Sequence, residues 1–148
     1  MTCLMRLPYL ETAEARDLFE SAMERVRVRF ELAIFGYVVM PGHVHLLVSE
    51  PRAGSLAEAI QALKLSVAKR RTERPFWLTR YYNFNVWSAE KETEKLGYIH
   101  RNPVKRSLVV RPEEWKWSSY RHYQTGVKGT VEVESFRTGW RREHPVSL

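Results

Sequence analysis

The chain has 148 residues, of which 44% are hydrophobic and 28% charged, a balance typical of one folded domain rather than of a disordered chain. No apolar run approaches the roughly 20 residues of a membrane-spanning helix and no signal peptide is evident, so we expect a cytoplasmic protein without a membrane partner. The single cysteine, Cys3, excludes an internal disulfide and a thiolate zinc site. The net charge of +7 favours a polyanionic partner such as nucleic acid.

The first third of the chain predicts a helix followed by a β-hairpin. Thr12 is a suitable N-cap, and the apolar residues after it recur at helical spacing: Leu18, Phe19, Ala22, Met23 and Val26. In residues 30–40, apolar side chains occur at both the odd- and the even-numbered positions. This pattern predicts a strand that is covered on both faces or lies at the centre of a sheet. Pro41 and Gly42 then predict a tight turn, with a second strand from His43 to about Ser49.

A second helix follows, and its end is strongly basic. Ser55 and Glu58 match a capping box, and the helix is predicted to reach about Arg71. Its inner face carries Leu56, Ile60, Leu63 and Val67. The basic residues near its end are Lys64, Lys69, Arg70, Arg71 and, just beyond, Arg74. Cations at a helix C-terminus suit the helix dipole, so these side chains have either a structural or a phosphate-binding role.

The next stretch is rich in aromatic residues around Arg80, and two interpretations stand: core packing, or stacking against single-stranded bases. These residues are Phe76, Trp77, Tyr81, Tyr82, Phe84 and Trp87. Ser88 is placed to cap a third helix, which Pro103 is expected to end. The sequence PEEWKWSSYRHY then predicts a short helical or turn segment anchored by Trp115 and Trp117, and a basic tail begins at about residue 124.

Two histidines one residue apart, His43 and His45, interrupt the apolar pattern of the second strand. Alternation along a strand puts both on one face with roughly 6 to 7 Å between their Cα atoms. Two imidazoles so placed can bind Zn, Mn, Fe or Cu, and with oxygen ligands added the same site accepts Mg or Mn. The alternative is that both simply lie on the solvated face of an edge strand.

The sequence EKLGYIHRNPVKR in the third helix supplies further reactive groups. Residues four apart on a helix share a face, so Tyr98 and Asn102 project together, with Glu94 one turn earlier. A phenol becomes a nucleophile when a base or nearby cation favours its phenolate, and a metal polarises a phosphoryl group for in-line attack. Together these groups are suited to cutting a DNA strand, whereas the spacing alone favours a half-buried helix aromatic at Tyr98.

Three motifs in this order resemble a known family: GYVVMPGHVHLLV, then YIHRNPVKRSLV, then WKWSSYRHY. The chain resembles, from about Leu7 to Tyr123, the single-tyrosine transposases of the HUH endonuclease superfamily. The likeness is strongest to the transposases associated with repetitive extragenic palindromes (REP), in which a short guide tetranucleotide lies at the foot of a DNA hairpin.

The resemblance implies a ferredoxin-like α/β fold, with the histidine pair on a central strand and the tyrosine on a helix packed nearby. It also implies a divalent metal, Mg²⁺ or Mn²⁺, and cleavage of single-stranded DNA that leaves a 5′-phosphotyrosine and a free 3′-hydroxyl. Carried over by motif, His43 and His45 are metal ligands, Tyr98 is the nucleophile, and Asn102 is the third ligand.

The chain departs from the family before its first helix. Family members usually begin with a strand there, and this sequence offers only MTCLMRLPYL. Either TCLMR forms a shortened strand or the strand is lost, and a lost strand would expose a sheet edge and weaken the floor of the site.

We therefore predict an α+β domain at residues 1–123, an antiparallel sheet with helices packed on it, followed by a basic tail at 124–148. The predicted function is a metal-dependent DNA endonuclease and strand transferase acting on single-stranded or hairpin DNA, as a monomer or homodimer. The predicted DNA contacts are Lys64, Lys69, Arg70, Arg101, Lys105 and Arg106. Two alternatives remain open, namely a catalytically inactive nucleic-acid-binding module of the same fold and a metal hydrolase that activates water.

Overall fold

A computed structural model describes residues 2–7, 10–68, 81–84, 88–135 and 138. Its centre is a four-stranded antiparallel sheet in the order β2-β3-β1-β4. The strands are β1 (Thr2–Arg6), β2 (Ile34–Val39), β3 (His43–Val48) and β4 (Tyr81–Phe84). One helix connects β1 to β2 and another lies between β3 and β4, which is the ferredoxin-like arrangement. The predicted fold is confirmed, and the segment TCLMR forms the shortened first strand.

In the part of the chain that the structure describes, four helices accompany the sheet: α1 (Ala13–Phe30), α2 (Leu56–Ala68), α3 (Ala89–Lys105) and α4 (Tyr120–Thr125). The hydroxyls of Thr12 and Ser88 cap α1 and α3 by accepting backbone N–H bonds of 3.1 Å. A 3₁₀ turn at Pro112–Glu114 precedes α4. Within the described residues, no helix has the length and apolar character needed to cross a membrane.

Three predicted boundaries differ from the structure or lie beyond it. The first strand of the hairpin begins at Ile34 because α1 continues through Phe30 and ends at Glu31, which adopts a left-handed conformation with φ 51°. The prediction that Pro103 ends α3 was wrong, since the helix continues to Lys105. Proline lacks the N–H that would bond to the carbonyl four positions earlier, but the last turn is still closed by the Arg106 N–H, which donates to the Asn102 carbonyl at 2.9 Å. The predicted end of α2 near residue 71 lies outside the described residues.

The sheet separates two cores. Val44, Leu46 and Val48 on β3 belong to the larger core, which α1 and α2 cover. Leu47 points to the other face and packs with Ile99 of α3 in a smaller core. Alternate residues of one strand therefore serve opposite faces, and His43 and His45 lie on the face of α3.

The outer edge of β2 is covered by the chain beyond α3. The Val39 N–H donates to the Trp117 carbonyl at 2.8 Å, and the Ser119 N–H donates to the Tyr37 carbonyl at 3.0 Å. The indole of Trp115 is buried and donates to the Val39 carbonyl at 3.0 Å. The predicted anchoring role of both tryptophans fits these contacts.

Residues after α4 complete this edge. The Glu134 N–H donates to the Ile34 carbonyl at 2.8 Å, and Val131 and Val133 are buried in the larger core. The division of the chain at residue 123 stays a prediction, and the part of the tail that the structure describes up to residue 135 packs on the domain.

Candidate active site

The two histidines of β3 form the floor of the site. The rings of His43 and His45 lie side by side, with 5.0 Å between their centroids. The alternation argument from sequence is confirmed, because both rings are on the same face of the sheet. On the neighbouring strand, Arg6 pairs in register with His43, and Leu4 pairs with His45. Directly opposed residues of antiparallel strands share a face, so the Arg6 side chain also belongs to this site.

Helix α3 brings the tyrosine and the asparagine onto this floor. The ring centroids of Tyr98 and His45 are 5.4 Å apart, and Asn102 Nδ2 lies 3.4 Å from His43 Nε2. Tyr98 is 39% exposed and Asn102 only 1%. The helix can approach so closely because β2 carries Gly36, where a Cβ would lie 2.4 Å from Leu96 Cδ1. The sequence placed these four residues on two elements, and the structure brings the elements together.

The carboxylate that shares the helix face in sequence, Glu94, is not part of this constellation. Glu94 is exposed and forms an ion pair of 3.6 Å with Lys91. No group of three or more His, Cys, Asp or Glu side chains suited to a metal occurs within the described ranges. A metal at this site would therefore need the amide oxygen of asparagine as its third protein donor.

The Asn102 amide fits that role. Its Oδ1 is buried and has no hydrogen-bond partner, although a buried polar atom normally has one. Its Nδ2 faces His43, so a rotation of the amide about its terminal bond would bring Oδ1 toward the imidazoles. Two imidazole nitrogens and one amide oxygen form a mixed donor set that accepts Mn²⁺ and, with added water, Mg²⁺.

The surroundings keep both imidazoles uncharged. Burial lowers the pKa of His45 to about 4, and the charges of His43, Arg106 and Lys95 act in the same direction. Burial also lowers the pKa of His43, assisted by Arg106 and Arg6. Neutral imidazole is the form that binds metal, so the nitrogen lone pairs are free at neutral pH.

A cleft of about 310 Å³ opens above the floor. It is lined by Leu4, Arg6, Gly42, His43, His45, Tyr98 and Arg106. Lys105 reaches over the phenol, with Nζ 5.5 Å from the centroid of the Tyr98 ring. Arg6 is a charged lining residue that the sequence did not indicate, because only the pairing of β1 with β3 shows that it lies beside His43.

The other predicted DNA contacts are scattered. Arg101 is exposed, and its guanidinium lies over Gly97, where an added Cβ would be 3.0 Å from Nη1. Lys64 is buried on α2, on the far side of the sheet, and burial lowers its pKa. Lys69 and Arg70 lie outside the described residues, as does most of the aromatic stretch around Arg80. The part that is described, Tyr81–Phe84, forms β4.

His100 was not assigned a role from sequence. Its Nε2 lies 2.7 Å from Ser119 Oγ, and burial lowers its pKa to about 4. Since Ser119 Oγ also accepts the Tyr37 N–H at 3.0 Å, this contact joins α3 to the segment that covers β2. His100 therefore has a structural role in holding the tyrosine helix.

Comparisons with known proteins identify the family and the fold of the chain. Residues 1–106 match the family model described as "Transposase IS200 like", which is more than half of the chain. A REP-associated tyrosine transposase, solved bound to a REP hairpin, covers 90% of this chain and 84% of its own, with a TM-score of 0.75 and 16% identity. A candidate transposase from Deinococcus radiodurans R1 covers 66% of this chain and 85% of its own, with a TM-score of 0.50 and 20% identity. No curated protein sequence matches.

Proposed function

The chain belongs to the IS200-like transposase family, and from this premise we propose that it is a metal-dependent endonuclease and strand transferase of single-stranded DNA. The observation that carries the proposal is the meeting of Tyr98 with His43, His45 and Asn102 across two elements. The cleft brings a half-exposed phenol and two neutral imidazoles together, and a buried amide oxygen without a hydrogen-bond partner lies behind them, beside His43.

In this proposal Tyr98 is the nucleophile. Its phenolic oxygen forms a bond to phosphorus while the bond from phosphorus to the 3′-oxygen breaks, giving a 5′-phosphotyrosine and a free 3′-hydroxyl. The phenolic proton ends on the departing 3′-oxygen, so no co-reactant is consumed. The Lys105 ammonium lies 5.5 Å from the centroid of the Tyr98 ring and places a positive charge beside the reacting group. Because a phosphotyrosine conserves the energy of the diester, attack by a new 3′-hydroxyl transfers the strand.

His43, His45 and Asn102 would hold a divalent metal, Mn²⁺ or Mg²⁺. Bound there, the metal would polarise the phosphoryl group and orient it toward the phenol. The protein's own part is to keep both imidazoles neutral by burial and to hold the amide against them.

The proposed substrate is DNA that folds into hairpins with unpaired bases at the foot. The structural relative with a TM-score of 0.75 is a REP-associated transposase bound to a REP hairpin. The net charge of +7 suits a partner that presents many phosphates. The sequence motifs of the histidine strand and the tyrosine helix support the same class of substrate.

A covalent trapping assay tests the proposal. The protein is incubated with 5′- and 3′-labelled hairpin oligonucleotides from repeats of the source genome, in Mn²⁺ or EDTA, and resolved on a denaturing gel. We expect a metal-dependent adduct with the 3′-side fragment, because the tyrosine keeps the 5′-phosphate. Tyr98→Phe should form none, while Tyr120→Phe, which alters a tyrosine outside the cleft, should react like the wild type.

The two alternative functions give different patterns. An inactive binding module would bind the hairpin in a salt-sensitive way, with the same affinity in EDTA and in the Tyr98→Phe variant. A water-activating hydrolase would cut the DNA in Mn²⁺ without any adduct, and Tyr98→Phe would cut as fast as the wild type. Either result contradicts the tyrosine mechanism.

A further inference from the structure

Two arginines enter the cleft from opposite elements. Arg6 stands on β1, in register with His43, and Arg106 follows the last turn of α3. Residues four apart share a helix face, so Arg106 continues the line of Tyr98 and Asn102. Both arginines are exposed and both line the cleft. The reactive groups thus have a guanidinium on the strand side and another on the helix side.

Among the residues that the structure describes, no acidic side chain is paired with these two arginines. The lining of the cleft contains no carboxylate. Across the part of the chain that the structure describes, neither Arg6 nor Arg106 forms an ion pair with Asp or Glu. By contrast, Arg27 and Arg111 each pair with two glutamates. The cleft therefore presents two free guanidiniums beside uncharged imidazoles, an arrangement that attracts an anion.

We propose that Arg6 and Arg106 clamp the phosphate that Tyr98 attacks, each donating N–H bonds to its non-bridging oxygens. This rests on the proposed function, and it assigns the recognition of the reacting group to two named side chains. The planar fork of a guanidinium matches two oxygens of a phosphate, and such charge-assisted bonds are strong and directional. The clamp holds phosphorus in line with the phenol and balances the charge that develops on its oxygens during attack.

The clamp recognises charge at a single linkage. A methylphosphonate, in which a methyl group replaces one non-bridging oxygen, is uncharged and lacks one acceptor. The proposal therefore predicts that the protein binds and cleaves a normal phosphodiester better than a methylphosphonate. A variant without the clamp should not distinguish the two linkages. Replacing a residue that only maintains the fold would weaken binding and slow the reaction by the same factor for both linkages.

The first test measures binding without chemistry. The Tyr98→Phe protein, labelled with ¹⁵N, is titrated with a dinucleotide that carries one phosphodiester, and the arginine Nε–H signals are followed by NMR. Signals of Arg6 and Arg106 are assigned from the spectra of Arg6→Leu and Arg106→Leu. We expect both to shift saturably, with about tenfold weaker binding of the methylphosphonate dinucleotide. Unmoved signals, or equal binding of both dinucleotides, would overturn the clamp.

The second test measures adduct formation. We expect Arg6→Leu and Arg106→Leu to slow it by about ten- to a hundredfold on a normal linkage. On DNA with a methylphosphonate at the cleaved position, each variant should match the wild type within about threefold. Arg6→Lys should recover part of the rate, because lysine keeps the charge and loses the fork. The matched control is Arg29→Leu, an exposed arginine of α1 on the other face of the sheet, and should react normally.

The two tests separate this proposal from the proposed function. If the wild type forms no adduct with any hairpin, the tyrosine mechanism fails and the NMR titration alone decides the clamp. If the wild type reacts and both leucine variants react as fast as Arg29→Leu, the clamp is overturned and the tyrosine mechanism stands. If the variants lose the same factor on both linkages, their role is structural and the clamp is likewise overturned.

Discussion

The two faces of the sheet are built from alternate residues of the same strand and serve different purposes. Toward α1 and α2, strand β3 presents Val44, Leu46 and Val48, all buried in the larger hydrophobic core. Toward α3 it presents His43 and His45, beside an asparagine whose Oδ1 has no partner. The comparison teaches that stability and chemistry can be placed one residue apart, because a strand reverses its side chains at every step.

Loss of both histidines should have the largest effect. The double variant His43→Ala, His45→Ala removes two of the three proposed metal donors, and metal assistance to phosphoryl transfer contributes several kcal/mol, or about a thousandfold or more in rate. We expect Mn²⁺ to lose its effect on adduct formation in the denaturing-gel assay. The free energy of unfolding, measured in urea, should change by no more than about 1 kcal/mol. A large loss of stability would mean that the faces are not separate in function.

Two neighbouring leucines of β3 test the two faces separately. Leu46 and Leu47 are both buried, but Leu46 lies in the larger core and Leu47 packs with Ile99, next to Tyr98 in sequence. Each change to alanine should lower the free energy of unfolding by about 2–5 kcal/mol. At a temperature where both variants are folded, only Leu47→Ala should slow adduct formation, because it loosens the packing of the tyrosine helix. Equal rates in the two variants would contradict this division.

Acid should destabilise the face of α3 through its histidines. Burial lowers the pKa of His100 to about 4, against a usual value near 6.5, so the native state binds fewer protons than the unfolded state. Its contribution to stability is present above pH 6.5 and is lost as the pH falls toward 4, by up to about 3 kcal/mol. His100→Gln should therefore show a shallower fall in urea-unfolding free energy between pH 7 and about pH 4.5. If the pH curves of the wild type and His100→Gln are parallel, His100 does not contribute to the loss of stability in acid.

The smallest effects should come from the helix caps. Thr12 on α1 and Ser88 on α3 make the same 3.1 Å bond, and replacing either by alanine costs about 1 kcal/mol. If both variants lose the same amount of global unfolding free energy, the two faces of the sheet unfold together. If Ser88→Ala leaves the global value unchanged and increases hydrogen exchange only at the start of α3, that helix opens independently.

Local patterns predicted much of this molecule. The Thr12 cap matched the start of α1, and the turn at Pro41 and Gly42 matched the hairpin. The period of two along a strand was enough to place His43 and His45 on one face. These features depend on residues a few positions apart, where backbone geometry leaves few options.

The features that sequence reasoning missed depend on distant pairing. The position of Arg6 follows from the register of β1 against β3, and nothing near Arg6 in sequence indicates that register. Similarly, the approach of α3 depends on the space left by Gly36 on another element. The extension of α3 past Pro103 was missed because a proline usually ends a helix at the preceding residue, whereas here the Arg106 N–H still bonds to the Asn102 carbonyl and closes one more turn.

The covering of β2 by residues 117–119 and 133–134 has a consequence for handling the protein. An exposed edge strand offers free N–H and C=O groups to any other strand, and this is a common route to aggregation. Removing the chain from residue 127 onward would uncover the Ile34 end of that edge and leave a hole where Val131 and Val133 pack. We expect such a truncated protein to self-associate through its sheet, so a shortened version made for crystallisation or labelling should keep residues up to at least 135.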